Sequence, residues 1–254
     1  MRVPDIPYNE EERLKDLYSY GLPDFTEQPE FNNLVKLAST ICEVPISLIT
    51  LLDEEKQWFK VKVGLDADCT SRDVSFCGHA INTPDKIFVI EDATKDDRFK
   101  DNPLVTGEPR IVFYAGVPLV TNDGNALGTI CVIDRKPRTL NKQQLDLLKG
   151  LSKQVIRLFE LRKTIKELED KESEQEQMIG SMAKYVNSIG YDLKMSFRNI
   201  EIATEILSKF SKDDSSILEQ VTNINRESSA GIHLINEVLK IAESEKRGFE
   251  RKKA

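Results

Sequence analysis

The residues of this chain with the widest chemical repertoire are its two histidines and four cysteines. Cys77 and His79 stand two apart in Ser75-Phe-Cys-Gly-His-Ala-Ile81, a spacing that fits a pair of metal ligands or a thiol beside an imidazole. A protein zinc site takes three or four ligands, and no second Cys or His pair accompanies these two, so no metal is expected. Cys42, Cys69, Cys77 and Cys131 contain no Cys-x-x-Cys, which fits buried thiols in a reducing compartment. Cys77 in that setting packs as a small hydrophobe. The second histidine, His233, lies in Ala230-Gly-Ile-His-Leu-Ile235, where an imidazole on a helix is a candidate for phosphoryl transfer.

The elements that must position these groups begin with a long helix. From Leu151, every seventh residue is Leu151, Leu158, Ile165, Glu172, Ile179, Val186, Leu193, Ile200 and Leu207. Three places after each come Gln154, Leu161, Leu168, Gln175, Met182, Ile189, Ser196, Ala203 and Phe210. This heptad outlasts the roughly three to four repeats that identify a coiled coil, and one helix cannot bury such a seam alone. A homodimer is therefore expected. Glu172 and Gln175 form one polar layer in the seam, either a register-setting solvated stretch or a joint between two apolar blocks. After the turn Ser211–Ser216, Ile217, Val221, Ile224, Ser228, Gly231, Ile235, Val238 and Ala242 repeat the four-three spacing. The short connection makes the second helix antiparallel to the first, and two such hairpins would form a four-helix bundle.

Upstream, the pattern is α+β. Glu10–Leu22 reads as a helix with Leu14, Leu17 and Tyr18 on one face, and Phe31–Cys42 as a second. Ile46–Leu52 and Gln57–Val63 read as a hairpin, followed by strands at Phe88–Ile90, Ile111–Val120 and Ala126–Asp134. The last two flank Asn122-Asp-Gly-Asn125, a strong turn signal. Helices at both ends of antiparallel hairpins imply an α+β sandwich. A net charge of −7 argues against nucleic acid as a partner. With no apolar leader and no run of about 20 apolar residues, a cytoplasmic chain without a membrane partner is expected.

Four blocks together resemble a GAF domain: Ser75–Ile81, Ile90-Glu-Asp-Ala-Thr-Lys-Asp-Asp-Arg-Phe99, Phe113-Tyr-Ala-Gly-Val-Pro-Leu119 and Gly128-Thr-Ile-Cys-Val-Ile-Asp134. The resemblance implies a six-stranded antiparallel sheet, helices behind it and a ligand pocket in front. Phe76, Cys77, His79, Asp92, Phe99, Tyr114 and Cys131 are its candidate lining, with His79 and Asp92 as the polar groups. A small molecule of unknown identity is the expected ligand if the pocket is occupied. Cys69 and Cys77 also fall where GAF-type free methionine sulfoxide reductases carry cysteines. The further cysteine of those enzymes is missing from Asp101–Arg110, so reductase activity is the weaker alternative. The Cys-His pair of bilin-binding members is missing from the same stretch, so no covalent bilin is expected.

A second resemblance covers Ser188-Ile-Gly-Tyr-Asp-Leu-Lys-Met-Ser-Phe-Arg-Asn-Ile200, which is similar to the H-box on the first dimerisation helix of sensor histidine kinases. Asp192, Leu193, Lys194, Arg198 and Ile200 fit that pattern. Tyr191 replaces the phosphoacceptor histidine and Ser196 the proline. The resemblance implies a dimerisation bundle without autokinase chemistry, with Tyr191, Asp192, Lys194 and Arg198 as a docking surface for a response regulator or a kinase. No ATP-binding segment follows within these residues. The expected organisation is a helical segment at 1–22, a GAF domain at 23–159, a coiled-coil linker at 160–178, a kinase-like hairpin at 179–246 and a basic tail at 247–254. The expected function is a non-catalytic cytosolic signalling adaptor. The alternative is a histidine phosphotransfer protein using His233.

Overall fold

Two strands that are apolar along almost their whole length sit at the centre of the sheet. They are β1 (Ile46–Leu52) and β6 (Ala126–Asp134), both buried on both faces. The computed structural model describes residues 1–21, 29–210 and 215–251, residues 210 and 245–251 by backbone alone. The residue 23 boundary, most of the turn read at Ser211–Ser216 and the end of the basic tail lie outside the described residues.

The remaining strands are β2 (Lys56–Val63), β3 (Cys69–Ser71), β4 (Phe88–Ile90) and β5 (Phe113–Val120). They complete a six-stranded sheet of order β3-β2-β1-β6-β5-β4, antiparallel at every pairing. Both edge strands have three residues, short enough to limit pairing with another chain. In β2, Thr50 pairs with Phe59 and Ile49 with Val61, which leaves Lys60 as an extra residue. This bulge reverses the strand's phase, so Gln57 and Phe59 face the front and Val61 the back.

The back face is covered by α1 (Glu10–Ser19), α2 (Pro29–Cys42) and the start of α5 (Lys142–Phe210). Leu14 and Leu17 of α1, Phe31 and Val35 of α2, and Leu148, Leu151, Val155 and Phe159 of α5 share one core with Ile49, Phe113 and Val132. Helix α1 therefore contributes to the core of this unit. Its deepest side chain is Arg13, which is fully buried, donates to the Leu52 carbonyl at 2.8 Å and pairs with Glu10. Helix α5 starts two residues later than Leu140, because Asn141 and Gln144 cap each other's backbone N–H groups. The front face is covered by α3 (Phe76–Ala80), α4 (Pro103–Thr106) and their connections.

The chain divides into two units, Met1–Lys166 and Glu167–Ala254. Within the second, α6 (Ser215–Arg251) runs antiparallel to the last part of α5. Lys194 donates to Asn236 at 3.1 Å, Ser229 to Glu201 at 2.9 Å, and Thr204 to Asn225. Gly190 and Gly231 let the helices approach. A Cβ at Gly190 would stand 2.7 Å from Leu239, and one at Gly231 2.7 Å from Phe197. On α5 the residues buried against α6 lie outside the two heptad series read from the sequence. Ala183, Gly190, Thr204, Val221 and Ser228 are buried between α5 and α6. Met182, Ile189, Leu193, Ile200 and Leu207 are exposed, as are Ile217, Ile224 and Val238 of α6. Glu172 and Gln175 are exposed as well.

Candidate functional site

The front of the sheet encloses a cavity of about 220 Å³, larger than the ~150 Å³ that holds a benzene molecule. Ile46, Leu48 and Phe59 form its floor on the sheet, and Leu65, Leu104 and Ile111 close it from the connecting segments. Ala67 and Glu108, both exposed, mark its rim. The wall carries few polar atoms. Gln57 Oε1 and Thr70 Oγ1 are buried without hydrogen-bond partners, on residues directly opposite each other in the β2–β3 pair. An unpartnered buried acceptor is costly, so the cavity is complementary to a compact, mostly apolar molecule that brings a donor.

The end wall is made of sulfur and hydroxyl groups. Ser75 caps α3 by accepting the Gly78 N–H at 3.0 Å, which fixes the helix so that Cys77 points into the sheet. The Cys77 sulfur accepts from Thr129 at 3.1 Å, Tyr114 at 3.2 Å and Thr50 at 3.3 Å. Thr50 and Thr129 are cross-strand partners on β1 and β6. Tyr114 reaches this point because residue 116 is glycine, where a Cβ would come within 2.2 Å of its hydroxyl. Cys131, two places along β6 from Thr129 and opposite Gly116, lines the same wall. Burial by itself pushes a thiol up, but the neighbouring Cys131 and the three hydroxyls outweigh it and hold Cys77 below the ordinary range. Burial and the neighbouring Cys77 sulfur push both Cys131 and Tyr114 well above theirs.

Four of the seven expected lining residues, Phe76, Cys77, Tyr114 and Cys131, meet at this cavity. The other three do not. His79 is two places from Cys77 on a helix, about 200° around it, and so faces away. Its ring packs against Phe88 and Phe99, and its Nε2 lies 3.1 Å from the Arg2 carbonyl oxygen. Burial and the nearby arginines push the imidazole below its usual value. Asp92 closes its own turn, accepting from the Thr94 hydroxyl and N–H and pairing with Lys95 at 2.8 Å. Phe99 stacks behind Phe76 with ring centroids 4.1 Å apart. Gln57 and Thr70 were not expected. The alternation of Gln57 with Phe59 carried the signal for the first, as a polar residue in an apolar phase.

In the second unit Tyr191, Asp192 and Arg198 are exposed on α5, and His233 on α6. Lys194 is half-buried because its ammonium is held by Asn236. Among the described residues, no group of three or more His, Cys, Asp or Glu is placed to hold a metal ion, and no helix is long and apolar enough to cross a membrane.

The residues thus build an antiparallel sheet with α1, α2 and α5 packed on its back and a walled cavity on its front. The chain belongs to the GAF domain family, whose model matches residues 27–157. It is 42% identical over 166 residues to a cyclic di-GMP phosphodiesterase of Pseudomonas aeruginosa, covering 65% of this chain and 28% of that protein's length. It is also similar to the solved GAF domain of an Acinetobacter phosphoenolpyruvate-protein phosphotransferase, at 16% identity and a TM-score of 0.44, covering 62% of this chain and 97% of that one. The GAF domain of PixJ from Thermosynechococcus elongatus is similar at 17% identity and a TM-score of 0.45, covering 65% and 98%.

Proposed function

We propose that this protein is a signalling adaptor in which the GAF cavity is the input and the α5–α6 hairpin is a non-catalytic, kinase-like bundle that docks a two-component partner. The observation that carries the reading is the helix α5. It belongs to the core of the GAF domain at Leu148–Phe159 and continues without a break to Phe210, where it carries the H-box-like residues. A helix shared in this way transmits a rotation or shift when it has two arrangements of similar energy. The sensory family membership and a relative named as a signalling-nucleotide enzyme support the input half. The output half rests on the resemblance of residues 188–200 to an H-box and on the exposure of Tyr191, Asp192 and Arg198.

The test is a titration of purified response regulators and histidine kinases from the source cell against the full chain. One of them should bind, and Asp192→Lys with Arg198→Glu should weaken that binding at least tenfold without loss of helicity. Binding unaffected by the double change would place docking elsewhere, and no binder at all would remove the two-component half of the reading.

No autokinase activity is expected, because a tyrosine at 191 has no imidazole nitrogen to form a phosphoramidate. Labelled ATP or a small phosphodonor should leave no acid-labile phosphate on the chain. Labelling that disappears with His233→Ala would instead make this a phosphotransfer protein.

A further inference from the structure

We propose that Cys77 and Cys131 are a redox pair that a hydroperoxide oxidises to a disulfide inside the cavity. Three observations meet at these sulfurs. First, Cys77 accepts from three hydroxyls at 3.1–3.3 Å. A neutral thiol is a weak acceptor with little use for three donors, whereas a thiolate is solvated by them. Second, Cys131 stands opposite Gly116, the residue over which the Tyr114 hydroxyl lies as it donates to Cys77, so a resolving thiol lines the same wall. Third, both sulfurs line a cavity of about 220 Å³ with a rim at the surface, large enough for a peroxide beside water. Cys42 lies in the core on the opposite side of the sheet, and Cys69 lies on an edge strand.

The chemistry balances. The Cys77 thiolate attacks one peroxide oxygen, the O–O bond breaks, and the departing hydroxide takes the Cys131 proton to become water. Cys77 is then a sulfenic acid and Cys131 a thiolate. That thiolate attacks the Cys77 sulfur, the S–S bond forms, and hydroxide leaves and takes up a proton as a second water. Two thiols and one hydroperoxide give one disulfide and two waters, or a water and an alcohol from an alkyl hydroperoxide. A dithiol reductant restores the pair. Oxidation removes the acceptor shared by Thr50, Thr129 and Tyr114, so it alters the wall against which a ligand would sit.

The test uses the full chain, reduced and folded, treated with hydrogen peroxide, quenched with an alkylating agent and mapped by peptide mass. The expected product is a Cys77–Cys131 linked peptide lacking two hydrogens, formed while Cys42 and Cys69 remain alkylatable and reversed by dithiothreitol. Cys131→Ser should accumulate a Cys77 sulfenic acid that dimedone traps. Thr129→Val keeps the side chain's shape and removes one donor, and should slow Cys77 oxidation about tenfold. Urea-unfolded chain should lose the preference for this pair. The proposal is overturned if Cys77 and Cys131 of the folded wild type oxidise no faster than Cys42 and Cys69, or if they oxidise without linking to each other.

Discussion

Glu10→Gln should destabilise the Met1–Lys166 unit by about 3–5 kcal/mol, the cost of removing one partner from a buried ion cluster. Glu10 lies between two guanidiniums. Its carboxylate meets Arg13 at 2.8 Å and Arg72 at 2.5 Å, and both arginine side chains are almost fully buried. Arg72 also donates to the Asp53 carbonyl, while its Nη2 already lacks an acceptor. A neutral glutamine leaves two buried cations without a counter-charge. The same cluster gives the unit a pH dependence. Burial raises the Glu10 carboxyl, but the hydrogen bonds and charges of Arg13 and Arg72 prevail and hold it at about 2. A depressed carboxylate stabilises the fold above its unfolded value of about 4.3, and that contribution is lost as pH falls towards 2. Denaturant midpoints measured from pH 6 to pH 2 should therefore fall more steeply for wild type than for Glu10→Gln. Parallel curves would mean the cluster is not formed in solution.

Arg13 also shows where the sequence misleads. Leu14 and Leu17 mark the inner face of α1, but a charged residue beside them reads as solvated, and only its partners Glu10 and the Leu52 carbonyl make it a core residue. The strands were legible because β1, β4 and β6 are apolar runs or alternations bounded by turn residues, and their limits agree with the reading. The edge strand β3 was not, because Cys69-Thr-Ser71 is neither an apolar run nor an alternation. The bulge at Lys60 was hidden for a related reason: an inserted residue leaves the composition of β2 unchanged and alters only its phase. In the site, Cys77 and Tyr114 were legible by their setting, whereas His79 was misassigned for want of a helix at Phe76–Ala80. Once that helix is recognised, the two-residue spacing itself separates His79 from Cys77. The heptad presents the converse case. Over the turns from Leu148 to Phe159 a 3.5-residue and a 3.6-residue period can barely be told apart. Leu151 fits the seam in sequence, yet it packs with Val155 and Phe159 under the sheet.

The part of the heptad beyond the sheet has the other large effect. Ile189→Asp with Leu193→Asp should turn a dimer into a monomer whose hairpin remains folded. Ile189 and Leu193 are 57% and 45% exposed in the single chain, whereas Val186 is half-buried and lines a groove with Ala242. Replacing Val186 would therefore disturb the hairpin itself, and replacing Ile189 and Leu193 isolates what lies outside it. On one chain Met182, Ile189, Leu193, Ile200 and Leu207 of α5 are exposed together with Ile217, Ile224 and Val238 of α6. Isolated apolar residues on a surface are ordinary, but two facing helices each with an apolar stripe at heptad spacing are matched by a second copy with the same stripe. Each buried Ile or Leu is worth about 1.5–3 kcal/mol, and the double change removes four of them from a dimer. The loss is then roughly 6 kcal/mol or more before any cost of desolvating aspartate, which raises the dissociation constant by about four decades. Sedimentation at micromolar concentration should show dimer for wild type and monomer for the variant. Circular dichroism should show the helix content of the two to be equal, because α5 and α6 meet through Gly190, Lys194, Phe197 and Thr204, none of which is altered. A wild type that sediments as a monomer would mean the stripe is covered by something other than a second copy. A variant that loses its helices along with its partner would mean the hairpin depends on dimerisation to fold.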